Sequence, residues 1–259
     1  MQKKKYILGI ESSCDETSVA IVTRNKRDNK PIVLANIVKN QIDVHESFGG
    51  VVPELAARAH SDVIDLLVEQ ALKKAKIKLK DITAVAATTG PGLLGGLLVG
   101  VIAAKTLSSV LKIPFISINH LEGHALSAQL EQDISFPYLL LLVSGGHTEF
   151  TIVKKFNNYH RIGTTVDDAL GEAFDKTARL LKLGYPGGPQ IERLAQSGNE
   201  DAYDLPKPLI HENNSYFSFS GLKTSVAQLV HKQKKLTPKI KKDIAASFQK
   251  TIGDIIKIK

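Results

Sequence analysis

Apolar residues fall into short runs separated by polar turns, and the spacing within each run predicts the elements. YILGI, the polar ESSCDE and TSVAIV read as strand, tight turn, strand. RNKRDNKP reads as a hairpin loop and PIVLANIVK as a returning third strand. Pro53 opens a helix in which Leu55, Ala56, Ala59, Val63, Leu66, Leu67 and Leu72 recur at helical spacing to about Lys76. ITAVAATT is a buried-type strand, GPGLLGG leads into an apolar helix ending near Leu111, and IPFISI is a further strand, with His120 two residues beyond it. Three strands followed by helix, strand, helix and strand predict a mixed α/β layer fold for a first unit over residues 1–135.

A second unit is expected over residues 136–259. YLLLLVSGGHTEFTIV again reads as strand, small polar turn, strand, and it shares the layout of ILGIESSCDETSVAIV, which suggests two homologous domains. A polar hairpin at YHRIG, a helix over 167–182, a YPGGP turn, and helices near 190–196, 221–232 and 238–256 follow. In the first unit each long helix is followed by a buried strand. In the second the last helix runs into IIKIK, so its sheet is expected to be incomplete, which would leave an edge unpaired.

Composition changes this picture little. With 259 residues, 43% hydrophobic and 23% charged, the chain has ordinary globular composition. A single cysteine excludes an internal disulfide and favours a reducing compartment. No secretory n-region and h-region open the chain, and the weakly polar run 90–104 is shorter than the ~20 residues of a spanning helix. A cytoplasmic protein with no membrane partner is therefore expected. The formal net charge of +8, with lysines clustered at 3–5, 231–235, 239–242 and 256–259, permits contact with nucleic-acid phosphates without requiring it.

Candidate chemistry begins at INHLEGH. His120 and His124 are four residues apart, so on a helix they share a face and can reach one metal ion, just beyond a strand's C-terminal end. A zinc protease needs its base glutamate directly after the first histidine. Glu122 instead stands about 200° round the helix, which argues against HExxH chemistry. VSGGHT, residues 143–148, is a glycine turn whose backbone amides could hold an anion, with His147 beside it. In the equivalent first turn Ser12 and Ser13 are candidate donors, and Asp15 and Glu16 are candidate acids, bases or cation contacts. Gly92, Gly96 and Gly100 lack the GK[ST] ending of a P-loop, and their spacing points to close helix packing.

GIESSCDETSVAIV, HESFGGVVPELAARAH, TTGPGLLGGLLVG, INHLEGHALSA, LLLLVSGGHTEF, GEAFDKTARLLKLGYPGGP and SFSGLKT, in this order, resemble the TsaD family, the tRNA threonylcarbamoyladenosine synthase subunit formerly called O-sialoglycoprotein endopeptidase. The resemblance implies an α/β fold of the actin/Hsp70/sugar-kinase-like (ribonuclease H-like) class, with duplicated domains and a nucleotide cleft between them. It implies transfer of threonylcarbamoyl from threonylcarbamoyl-adenylate to the N6 amine of the adenosine 3′ of the anticodon in ANN-decoding tRNA. It implies one divalent metal, Fe2+ or Zn2+, on His120 and His124. It implies substrate contacts from Val143, Ser144, Gly145, Gly146, His147, Asp175 and Gly188, and from Glu192, where many members carry aspartate. Asp15 or Glu16 is the candidate proton acceptor. A related-fold subunit and a small ATPase are the implied partners.

Family members usually continue past the equivalent of Lys259, through a GGVAAN-like block and an aspartate that is the metal's third protein ligand; neither occurs in this sequence. C-terminal truncation is therefore expected, which makes a non-catalytic remnant that still docks its partner the alternative to an active enzyme. With two ligands and no third, the chain alone is expected to bind metal weakly and to show little transferase activity. Metal analysis of the purified chain checks this, and one tightly held iron or zinc per chain contradicts it.

Overall fold

The computed structural model describes residues 4–25, 28, 30–130 and 132–259. Lys3 of the first lysine cluster, and Lys26, Arg27 and Asn29 of the expected hairpin loop, lie outside the described residues. The chain divides into two compact units, Met1–Asp133 and Ile134–Lys259.

The first unit runs β1 (Ile7–Glu11), β2 (Glu16–Arg24), β3 (Pro31–Asn40), α1 (Ile42–His45), α2 (Pro53–Ala75), β4 (Ala84–Gly90), α3 (Leu94–Leu111), β5 (Phe115–Asn119) and α4 (His120–Ser127). Its five strands lie in the order β3-β2-β1-β4-β5. β2 pairs antiparallel with β1 and β3, while β1, β4 and β5 run parallel. β2 alternates with period two, burying Thr17, Val19, Ile21 and Thr23 on one face. β4, flanked on both sides, buries residues of both faces, as a central strand of short apolar residues should. Leu8, Ile10, Val19, Ile21, Ile64, Leu67 and Val85 form the core under α2.

α3 carries the glycine spacing. A Cβ on Gly96 would collide with the backbone carbonyl of Ser12, and one on Gly100 with the Ser12 hydroxyl, so the missing side chains let α3 lie directly on the β1–β2 turn. The Ser12 hydroxyl donates to the Gly96 carbonyl at 2.9 Å. Among the described residues α3 is the one helix long and apolar enough to cross a membrane by length and composition, beyond what the shorter run 90–104 indicated. It packs against α2, β1 and β4, burying Gly96, Leu97, Gly100 and Ala104.

A buried polar chain fixes α2 to this sheet. His60 Nε2 lies 3.0 Å from the Cys14 carbonyl, an acceptor only, so Nε2 carries the proton and Nδ1 accepts. Nδ1 receives the Thr17 hydroxyl at 2.7 Å and the Gln41 side-chain amide at 3.2 Å. The Gln41 carbonyl accepts from His45 Nε2 at 3.0 Å, and His45 Nδ1 accepts from the Val52 amide at 3.3 Å. His45 and His60 are fully buried, and burial pushes the His60 pKa down.

The second unit runs β6 (Tyr138–Val143), β7 (Thr148–Lys155), β8 (Asn158–Thr164), α5 (Leu170–Leu180), α6 (Gly187–Ala195), α7 (Ser220–Lys232) and α8 (Pro238–Ile258), with an antiparallel sheet β6-β7-β8. Its core gathers Phe150, Phe217, Phe219 and Phe248 with Leu222, Ile244 and Ile255. Three expectations need correction. YHRIG is not a hairpin turn but the body of β8, paired with β7 on both sides of a register shift at Ile162. The helix expected from Asp167 begins at Leu170, because Asp167 instead accepts the Ser218 hydroxyl at 2.5 Å and the Phe219 amide at 2.8 Å, while Asp168 holds Lys223 at 2.7 Å and Lys176 at 3.0 Å. The helix expected near 190–196 begins earlier, at Gly187, where the amide donates to Asp175.

Gly96→Ala is expected to lower unfolding stability by about 1–3 kcal/mol, because the new methyl meets backbone. Gly123→Ala, inside α4 with nothing within 4 Å of its Cβ position, should be neutral or stabilising by up to about 1 kcal/mol. Urea unfolding of both variants checks the opposite signs.

Candidate functional site

In the first unit the parallel strands β1, β4 and β5 deliver their C-terminal ends to one edge of the sheet, where open α/β folds hold ligands. Glu11 ends β1, Thr88 lies near the end of β4, and His120 directly follows β5 rather than standing two residues beyond it. Asn119 sets that start: its side chain accepts the amides of Leu121 at 2.9 Å and Glu122 at 3.3 Å, an N-cap that begins α4 at His120. One helical turn then places His124 Nε2 3.1 Å from His120 Nε2, with the rings edge to face at 4.5 Å.

Glu11, which the sequence pattern did not single out, anchors the other side of His120. Its carboxylate accepts the Ser13 amide at 2.6 Å and the Thr88 hydroxyl, and His120 Nδ1 lies 3.4 Å from Oε2. Ser13 Oγ is also 3.2 Å from Nδ1. Burial pushes the Glu11 carboxyl up, but hydrogen bonds from His120, Ser13 and Thr88 outweigh it and hold the pKa at about 2. The signal in the sequence was its place: a lone carboxylate at the C-terminal end of an apolar strand.

Ser12 and Ser13, candidate ligand donors by sequence, are buried and spent inside the fold, on Gly96, Glu11 and His120. Asp15 lies in the turn after them and Glu16 opens β2, exposed. Cys14 reaches solvent, yet the protein around its sulfur, and then the adjacent Asp15 carboxylate, push the thiol up to about 12, so it is a poor nucleophile at neutral pH.

Two imidazole nitrogens 3.1 Å apart fit a shared cation. Bonds of about 2.0–2.1 Å at a tetrahedral angle set two ligand nitrogens about 3.4 Å apart, a shift of tenths of an ångström. Among the described residues no group of three or more His, Cys, Asp or Glu is placed to hold a metal ion, so the donor set present is this pair of nitrogens.

In the second unit α5 is the organiser. A Cβ on Gly171 would stand 2.7 Å from the Ser144 carbonyl, so the 144–147 turn rests on the first turn of α5, and the Gly171 amide donates to that carbonyl at 3.2 Å. One turn further, Asp175 accepts the Gly187 amide at 2.7 Å, which seats Gly188 beside it; Glu192 follows one turn on, exposed on α6. Ser144, Asp175 and Gly188 are thus brought together along one helix, with Val143 and His147 at the two ends of the glycine turn. Beyond Gly145, Gly146 and Gly188 no atom lies within 4 Å of a Cβ position, so these glycines border open space. The turn is not wholly the anion cradle expected. The amides of Gly146 and His147 already donate to Ser144 Oγ at 3.4 and 3.0 Å.

A strand order of 3-2-1-4-5, a second sheet repeating its first three strands, and ligand-facing groups at strand ends define an α/β protein of the actin/Hsp70/sugar-kinase-like class. The fold matches component A of (R)-2-hydroxyglutaryl-CoA dehydratase from Acidaminococcus fermentans at a TM-score of 0.53, with 16% identity, covering 98% of this chain and 77% of that one. The family model TsaD, tRNA N6-adenosine threonylcarbamoyltransferase, matches residues 32–259. A protein of that name from Pelagibacter ubique is 55% identical over 99% of this chain and 71% of its own length, and one from Bartonella tribocorum is 56% identical over 97% and 69%. The chain belongs to this family of transferases, which modify tRNA.

Two shifted groups make the stability of the first unit depend on pH. Because folding lowers the His60 pKa, the unfolded chain takes up a proton first as pH falls through its ordinary 6.5, and stability declines from there. Glu11 adds a second loss: its contribution is complete above about 4.5 and is lost as pH falls to about 2. Urea midpoints should therefore be lower at pH 5.5 than at 7.5, and His60→Gln, less stable at neutral pH, should flatten that slope.

Proposed function

We propose that this chain, assembled with its partner proteins, transfers threonylcarbamoyl from threonylcarbamoyl-adenylate to the N6 amine of the adenosine 3′ of the anticodon in ANN-decoding tRNA. The observation that carries the reading is the pair His120 and His124, whose Nε2 atoms converge to 3.1 Å at the C-terminal ends of parallel strands. These two nitrogens would hold Fe2+ or Zn2+, which when bound supplies a Lewis acid for the carbonyl that the amine attacks.

The adenylate's contacts fall to the second unit. Gly145, Gly146 and Gly188 leave room for a flat or phosphorylated group to approach backbone, and Val143, Ser144, His147, Asp175 and Glu192 frame that room. Asp15 or Glu16 takes the proton that the attacking amine releases. Exposed Lys232, Lys234, Lys235 and Lys239, within an overall +8 chain, suit the phosphates of tRNA. Leu94, Leu98 and Ile102, 73, 49 and 60% exposed at four-residue steps on α3, form an apolar row that suits a protein partner. A related-fold subunit, with a small ATPase, is the partner we propose.

Threonylcarbamoylation of tRNA, reconstituted with these two partners, tests the reading. His120→Ala and His124→Ala are each expected to lower transfer roughly 100-fold or more. Wild-type chain that forms no product while still co-purifying with its partner would establish the non-catalytic scaffold instead.

A further inference from the structure

We infer that Glu11 is a positioning residue that fixes the tautomer of His120, keeping the proton on Nδ1 so that Nε2 presents its lone pair toward His124. The inference rests on the metal reading for what the lone pair is used for, while the tautomer itself rests on the contacts of His120 Nδ1 with the Glu11 carboxylate and Ser13.

An ionised carboxylate only accepts hydrogen bonds. Both Glu11 oxygens already do so: Oε1 takes the Ser13 amide at 2.6 Å, and Oε2 takes the Thr88 hydroxyl. His120 Nδ1 sits 3.4 Å from Oε2 and 3.2 Å from Ser13 Oγ. A bare Nδ1 would turn its lone pair toward the carboxylate, acceptor against acceptor. A protonated Nδ1 donates to both oxygens in a three-centre bond with Glu11 as the charged partner. In neutral imidazole the other nitrogen is then the acceptor, and Nε2 is the atom 3.1 Å from His124 Nε2. A carboxylate behind a ligating histidine is a recurrent way to orient its ring and raise its basicity.

The neighbours of Glu11 make the isosteric amide a sharp test. The Ser13 amide is backbone and cannot reverse its role, so in Glu11→Gln the side-chain oxygen must take the Oε1 position. That puts the NH2 group at the Oε2 position, against Thr88 and His120. The Thr88 hydroxyl can rotate to accept, and the NH2 group is left to donate to His120 Nδ1. The ring then carries its proton on Nε2, the position a cation needs. Glu11→Asp keeps an acceptor-only group and should keep the original tautomer.

The experiment is long-range proton–nitrogen NMR on 15N-labelled, metal-free full chain, recorded above neutral pH at about 8.5. His120 is assigned by the signal that disappears in His120→Asn. Wild type and Glu11→Asp should show the Nδ1–H pattern, and Glu11→Gln the inverted one. In parallel, titration with Co2+, followed by its visible absorption, should show Glu11→Gln binding about 10–100-fold more weakly than wild type, with Glu11→Asp closer to wild type. An unchanged Nδ1–H pattern in Glu11→Gln overturns the inference, as does Nε2–H in the wild type. A wild-type chain that takes up no Co2+ would overturn the metal reading, and the tautomer pattern would still decide the role of Glu11.

Discussion

The turn that joins β1 to β2 is gripped from three directions, and the arrangement at the sheet's ligand edge depends on that grip. From below, α3 presses Gly96 and Gly100 against Ser12 so closely that a single methyl group would separate them. From α2, His60 donates to the Cys14 carbonyl. From within, Glu11 accepts the amide of Ser13. A tight turn on its own is among the more mobile parts of a fold. Here it is fixed well enough that a side chain on it can orient a histidine from another element.

The second unit answers the same need with different parts. Its first hairpin also has a turn of small residues, and a helix again approaches that turn through a glycine, here Gly171 of α5, which follows the third strand rather than the fourth. The difference lies in what the turn does with its own donors. Ser13 gives its amide to the carboxylate of Glu11, two residues back at the end of β1, whereas Gly146 and His147 give theirs to the hydroxyl of Ser144. The first turn puts its carboxylate against His120, while the second leaves Gly145 and Gly146 open to solvent.

Much of this was legible in the residues. Period-two burial in β2, helical spacing in α2 and the glycine spacing of α3 each predicted an element that the structure contains, because each signal is a property of one face of one element. The misreadings share a cause. YHRIG carries too few apolar residues to register as a strand, since β8 buries little and depends on pairing with β7. Asp167 and Asp168 looked helical because their partners, Ser218 and Phe219 just before α7 and Lys223 on it, lie about fifty residues downstream. Glu11 escaped notice for the same reason, as its importance comes from Thr88 and His120, on two other strand ends. Local pattern reports local structure. A site assembled from three strand ends shows only its separate parts in sequence, a histidine pair at one end and a lone carboxylate at another.

The buried chain from Val52 to Cys14 has a direction. It starts at a backbone N–H and finishes at a backbone carbonyl, neither of which can exchange roles, so each side chain between them has only one permitted orientation. Sliding α2 along the sheet by a single turn would replace His60 with Ala56 or Ile64 and leave at least one of these fixed groups facing nothing. The hydrophobic core alone would tolerate such a slip, since an apolar face repeats along the helix. The polar chain therefore works as a key cut for one alignment, contributing less to how firmly α2 is held than to which of several positions it is held in.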